Sequence, residues 1–226
     1  MRLNETERLL IGLLSLLLIA MPWMIGTTPL WAQAVACFLA LACLGAALLP
    51  RHGETHSVTV AGQLKRLLLF PGFWLGGLLT IIIGIQTFNT AWLLEGTEGF
   101  RWTTETGHTR WLPVGLDATG APPAPLSGLL AFATASMALG AAWIGVTRRK
   151  SIAWILALAT CNSAMVALIA FVHMAGNRET ILGIFDPPTA VFLGTFPHHW
   201  QGAAWLAVLV APATGLAAYH ALRIRR

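Results

Sequence analysis

The chain has 226 residues, of which 56% are hydrophobic and only 10% charged, with a formal net charge of +5. Soluble domains carry about 25% charged residues, so the composition excludes an ordinary water-soluble enzyme and points to the bilayer. About 20 helical residues, rising about 1.5 Å each, cross a hydrocarbon layer of about 30 Å. Six such spans leave little chain for a separate soluble domain.

The first apolar span, at about residues 9–26, follows Met1-Arg2-Leu3-Asn4-Glu5-Thr6-Glu7-Arg8. Glu5 and Glu7 dilute the basic start a signal peptide needs, and Pro22-Trp23-Met24 stands where a cleavage site needs small residues. The span therefore reads as a retained signal anchor. Gly26-Thr27-Thr28-Pro29 turns the chain into span 2, about 30–49, and a loop over about 50–66 ends on Lys65-Arg66. Span 3, about 67–93, has Pro71 near one end and Gln86 and Asn89 near the other. A polar loop at 94–124 carries Glu95, Glu98, Glu105 and Asp117. Span 4, about 125–146, leads to Arg148-Arg149-Lys150, and span 5 covers about 152–174. Loop 175–199 precedes span 6, about 200–221, which runs to Arg223-Ile224-Arg225-Arg226. The expected fold is all-α: a single polytopic transmembrane helix bundle over residues 1–226.

Cations orient it. Of 14 Lys and Arg, three (Arg101, Arg110 and Arg178) fall in the loops at 94–124 and 175–199. The others lie in the N-terminus, the 50–66 loop, the Arg148 cluster and the C-terminus. Positive residues mark the cytoplasmic side, so both termini are expected there, with 94–124 and 175–199 outside. Trp23, Trp31, Trp92 and Trp200 then fall at outer span ends and Trp74, Trp143 and Trp154 towards inner ones, where indoles favour the headgroup level. The basic groups are split among four short segments, which disfavours nucleic-acid binding and suits anionic lipid headgroups.

Small residues four apart (Gly72 and Gly76, Ala131 and Ala135, Ala141 and Gly145) let helices approach closely and imply packing alone. Cys37, Cys43 and Cys161 lie within spans without a CxxC or zinc spacing. There is no GxxxxGK[ST], GxGxxG or HExxH, no internal repeat, and no charged residue in mid-span, which disfavours nucleotide hydrolysis, zinc proteolysis and ion-coupled pumping. No cofactor is expected. His173, His198, His199 and Asp186 have no recognised metal-ligand spacing, so no metal is expected either.

The chemistry-bearing residues left are outside. Arg178, in Gly176-Asn177-Arg178-Glu179, and Arg101 and Arg110, each beside a tryptophan, serve no topological purpose there. Guanidinium groups bind phosphate or pyrophosphate through paired donors, while pairing with a nearby Glu is the plainer use. His198 and His199, at the mouth of span 6, suit a general base or a phosphate donor, or simply interfacial histidines solvated by water. Gln86, Asn89, Asn162 and Ser163 need partners on other helices or in a wet cavity.

Ile85-Gln86-Thr87-Phe88-Asn89, Arg110-Trp111-Leu112-Pro113, Asn177-Arg178-Glu179-Thr180-Ile181-Leu182-Gly183 and Gly194-Thr195-Phe196 leading into an Ala-rich helix resemble a known family. Together they look like the N-terminal half of bacterial O-antigen ligase and polymerase-like membrane proteins. The resemblance implies a multi-pass protein of the bacterial inner membrane, acting in lipopolysaccharide biosynthesis. It implies a glycosyltransferase that moves a glycan from undecaprenyl pyrophosphate to an acceptor at the periplasmic face. His198 and His199 would take the catalytic role. Arg178, Arg110, Arg101, Asn89 and Gln86 would bind substrate. This chain reads His198-His199-Trp200-Gln201 where many members carry Asn-His or Arg-Asn, and members usually have about twice the spans. A fragment, a truncated frame and a short accessory form all fit that difference. The rival expectation is a non-catalytic subunit packed against partner membrane helices, and a half-transporter is the third. The topology predicts that a periplasm-only reporter fused at residue 110 is active and one fused at 149 silent; the reverse would invert the orientation.

Overall fold

The structure, a computed structural model, describes residues 5–50, 59–97, 100–118, 124–176, 180–181 and 192–224. Among these, seven α-helices and one small sheet follow in the order α1 (Glu5–Trp23), α2 (Leu30–Leu48), α3 (Val60–Leu68), α4 (Pro71–Phe88), β1 (Thr90–Thr97), β2 (Phe100–Glu105), β3 (Gly115–Ala118), α5 (Ala124–Gly145), α6 (Arg149–Ala175) and α7 (His199–Ile224). All helices but α3 are long and apolar enough to cross a membrane. The chain is a multi-pass, all-α membrane protein, and the six expected spans match α1, α2, α4, α5, α6 and α7.

Two segments depart from expectation. Span 3 does not run from 67 to 93. Pro71 opens α4 at its first position, where a missing N–H costs nothing, and the residues before it form the separate helix α3. At the other end Asn89 stops α4 and Thr90 begins a strand. The polar loop at 94–124 is therefore partly a sheet of order β2-β1-β3, with β1 antiparallel to β2 and parallel to β3.

The chain divides into two compact units, 1–32 with 145–226 and 33–144. In the first, α1 lies parallel to α6. Near its start the Glu7 carboxylate, 3% exposed, accepts from Ser151 Oγ at 2.9 Å and meets Arg148 Nε at 3.2 Å. Near its end Trp23 Nε1 donates to Asn162 Oδ1 at 2.8 Å. The Asn162 amide nitrogen in turn donates to the Leu18 carbonyl at 3.2 Å. Leu18 is four residues before Pro22, which lies inside α1 and has no N–H to give that carbonyl. Asn162 supplies the missing donor from the neighbouring helix. Beyond α1, Ile25, Gly26 and Thr27 form one left-handed turn with φ of 54°, 60° and 58°. That region is costly for β-branched residues. Thr27 Oγ1 bonded to the Met21 carbonyl and Thr28 Oγ1 bonded to the Ile25 carbonyl hold it in place. The Phe196 ring lies so close over Gly26 that a Cβ would overlap it. α7 returns antiparallel to α6, with the Gly194–Phe196 segment wedged between them: Gly194 touches Ala170 and Phe196 faces Trp205.

In the second unit α2 and α5 run side by side in the same direction. Gln33 Nε2 donates to Ser127 Oγ at 2.6 Å near their starts, and Leu44 approaches Gly140 near their ends. α2 buries a row of small side chains, Ala36, Ala40, Cys43 and Ala47. α4 runs opposite to α5, with Phe70 stacked on Trp143 at 4.5 Å, Gly76 against Ser136 and Gly84 against Leu129. Within each unit, the relative helix directions are those that six successive crossings require: α1 with α6 and α2 with α5 are parallel, while α4 and α5 are antiparallel.

The Pro22 arrangement generates a double-mutant test. Asn162→Ala is expected to cost about 1–2 kcal/mol of unfolding free energy in bicelles by stranding the Leu18 carbonyl and the Trp23 indole. In a Pro22→Ala background, where the backbone N–H returns, the loss should shrink by about 0.5 kcal/mol or more. Strict additivity would refute the pairing.

Candidate functional site

Three sequence-flagged residues of the second unit, Gln86, Asn89 and Arg110, meet around the end of α4. Asn89 is 8% exposed and forms the hub. Its amide nitrogen donates to the carbonyls of Thr109, Pro113 and Leu112 at 3.1, 3.2 and 3.4 Å. Its Oδ1 accepts from Thr109 N at 2.8 Å, and its main-chain carbonyl accepts from Gly115 N at 3.0 Å. One side chain thus ties both feet of the 109–113 turn, and exposed Arg110 stands on that turn. Gln86 is half-buried one helical turn earlier, and its main-chain carbonyl leaves no room for a Cβ on Gly115. Gln86, Asn89 and Arg110 are therefore neighbours through backbone architecture. Asn89's partners are main-chain groups of the 109–113 loop, where its sequence position suggested another helix or a wet cavity.

The sheet grows from this hub. Directly paired residues share a face, so Leu93, Thr104, Asp117, Glu95 and Trp102 lie on one side. Trp92, Glu105, Leu94, Thr103 and Leu116 lie on the other. On the first face the Glu95 carboxylate accepts from Trp102 Nε1 at 3.2 Å and Thr104 Oγ1 at 3.1 Å, fixing the indole edge-on to a negative charge. His108 Nδ1 lies 3.0 Å from the Thr106 carbonyl and 3.9 Å from Glu105. Trp102 is half-exposed and Trp111, in the tip beside Arg110, is 82% exposed. Arg101 lies in β2 opposite Gly96. The sequence reading missed the Glu95–Trp102–Thr104 group. Its signal was the turn-forming Gly96-Thr97-Glu98-Gly99 between two short runs that hold the strand-favouring Trp92, Phe100, Trp102, Thr103 and Thr104.

In the first unit, His199 opens α7 and is exposed, while half-buried His198 stacks on exposed Trp200 at 5.9 Å. The His198 carbonyl accepts from Gln201 N at 3.1 Å, in the first turn of that helix. His173, in the last turn of α6, meets the Phe192 ring edge-on at 5.8 Å. Thr195 is completely buried, and its hydroxyl has no hydrogen-bond partner among the described residues. Arg178 and Asp186 lie outside the described residues. Among the described residues no three His, Cys, Asp or Glu converge as a metal would require. The Gln33 and Asn162 amides, together with Glu7, Arg148 and Ser151, serve helix packing.

Chemically, the sheet of the second unit offers an indole beside the Glu95 carboxylate and the Thr104 hydroxyl, and the 109–113 turn offers a guanidinium on a clamped loop. Searches of protein-family models, curated proteins and solved structures return no match to this chain, so the likeness to ligases and polymerases stands on the residues quoted for it.

The hub is testable. Asn89→Ala should free the 109–113 turn, raising the labelling rate of a cysteine at Arg110 severalfold and lowering stability by about 2 kcal/mol. Asn89→Asp keeps the acceptor for Thr109 N but loses all three donations, and should fall between. An unchanged labelling rate in both variants would dismiss the hub.

Proposed function

We propose that this chain is a multi-pass protein of a bacterial inner membrane, with both termini in the cytoplasm, that binds a glycan carried on undecaprenyl pyrophosphate at its outer face. The observation that carries the proposal is the polar face of the small sheet, where Trp102 stands beside Glu95, with Thr104 and Asp117 on the same face. An indole face covers the C–H face of a sugar ring, and ionised carboxylates accept strong hydrogen bonds from hydroxyls. Arg110, held on the Asn89-clamped turn, supplies a guanidinium of the kind that binds pyrophosphate. The likeness to O-antigen ligases and polymerases supports the same donor and adds a transfer step. In the step the likeness implies, the acceptor hydroxyl gives its proton to His198 or His199 and its oxygen bonds the sugar's anomeric carbon as the bond from that carbon to the pyrophosphate oxygen breaks, with Arg178 neutralising the charge of the departing undecaprenyl pyrophosphate. Arg101 and Gln86 complete the substrate-binding set that the likeness implies.

The test uses the full chain in nanodiscs containing an undecaprenyl-pyrophosphate-linked oligosaccharide. Trp102→Ala and Glu95→Ala are expected to weaken glycan binding about tenfold each, the equivalent of about 1.4 kcal/mol. Arg110→Ala should weaken binding of undecaprenyl pyrophosphate itself, without sugar. Equal affinity of wild type and all three variants would sink the binding reading. Loss of surface polymer in cells on Arg178→Ala or His198→Ala, with binding intact, would establish transfer; unchanged polymer would remove that step.

A second reading, a non-catalytic subunit, is favoured by one observation. α4 buries none of its residues within the chain, and Trp74, Leu75, Leu78 and Ile81 are exposed on it. Such a surface suits either lipid or a partner helix.

A further inference from the structure

Among the described residues, the short helix α3 is left without a role by the six spans and the sheet. It is nine residues long, Val60–Leu68, and is held at both ends. Thr59 Oγ1 accepts from Gly62 N at its start, and Trp74 Nε1 donates 2.7 Å to the Leu68 carbonyl at its end. Its faces separate cleanly. Gln63 and Leu67 are buried, with Leu67 reaching Gly140 of α5 near Leu44 of α2. Val60, Leu64 and Leu68 recur every fourth residue, within an arc of about 80°, and are 50%, 45% and 42% exposed. Lys65 and Arg66 point away from that arc and are exposed. A helix lying in water would turn this apolar arc inward; here only its edge is covered by protein.

Position says what covers the rest. Two residues, Leu69 and Phe70, separate α3 from Pro71, the first residue of a membrane-length helix. Three extended links of about 3.5 Å hold the end of α3 within about 10 Å of that span's start. α3 also packs near the ends of α2 and α5, where Phe70 stacks on Trp143, and Trp74 and Trp143 are both exposed as interfacial indoles are. An amphipathic helix fixed at the headgroup level, with an open apolar arc and flanking cations, has the form of an in-plane membrane helix.

We propose that α3 is an in-plane anchor that sinks Val60, Leu64 and Leu68 into one leaflet and holds anionic phospholipid headgroups with Lys65 and Arg66. This inference rests on the membrane spans alone and is independent of glycan binding.

The experiment places nitroxide labels singly at Leu64 and Gly62 of the full chain, in nanodiscs of phosphatidylethanolamine with phosphatidylglycerol. Leu64 should be accessible to oxygen and shielded from a water-soluble nickel complex, and Gly62, on the opposite side, the reverse. Equal access of nickel to both sites would overturn the proposal. Shielding of Leu64 from both reagents would also overturn it, by showing a protein partner on that face. In the second arm, spin-labelled phosphatidylglycerol should bind in preference to phosphatidylcholine. Each of Lys65→Gln and Arg66→Gln should reduce that preference about fivefold, as expected for one cation at an anionic surface. An unchanged preference in both variants, with unaltered thermal stability, would remove the headgroup site.

Discussion

Inside a bilayer no water is available to a stray carbonyl or amide, and every backbone polar group must find its partner within the protein. Much of the detail in this structure answers that demand. Among the described residues, helices cover the apolar segments and strands occur in the segment between α4 and α5. Where a helix contains proline, the exposed carbonyl is a local fault, and at Pro22 Asn162 closes it from the next helix at 3.2 Å. Hydroxyls inside the spans turn back on their own helices in the same way: Thr80 to Gly76, Thr87 to Ile83, Thr134 to Leu130 and Ser163 to Ala159, all between 2.7 and 2.8 Å. Those polar side chains are neutralised locally and leave the apolar character of their spans unbroken.

The same demand shapes the extramembrane part. α4 stops at Asn89, whose buried amide binds the carbonyls of the 109–113 turn and whose own carbonyl accepts from Gly115. The sheet is thus attached to the end of the span by hydrogen bonds within one neighbourhood, with β3 running back beside β1. A binding surface built on such a base keeps its geometry better than one built on a slack loop.

The spans were legible because the signal for a crossing helix is an average over about 20 residues. Their ends were legible within a few residues because Pro29, the Arg148 cluster and Trp200 punctuate them. The break at Leu69-Phe70 was hidden because Leu67, Leu68, Leu69 and Phe70 continue the apolar run without pause, and only Pro71 betrays a new start. The strands were missed because six or eight residues give a weak period, easily read as a polar loop. Asn89 and Arg110 drew attention by residue type, but the bonds that bring them together cross 20 to 24 positions. Glu7 read as a diluted basic start; its partners Ser151 and Arg148 lie on another helix, 144 and 141 positions further along. Contacts of that kind have no local signature.

Those long separations also bear on how the chain is made. A ribosome adding about 5–20 residues each second needs roughly 7–30 s to travel from Leu18 to Asn162. Through that interval α1 is already synthesised while its Pro22 fault has no closing amide and Glu7 has no cation from Arg148. Until the fifth span is made, the Leu18 carbonyl and the Glu7 carboxylate lack the partners that the folded protein gives them. Membrane assembly of this unit is then timed by the birth of α6, and α1 takes its final form only when that late helix is beside it.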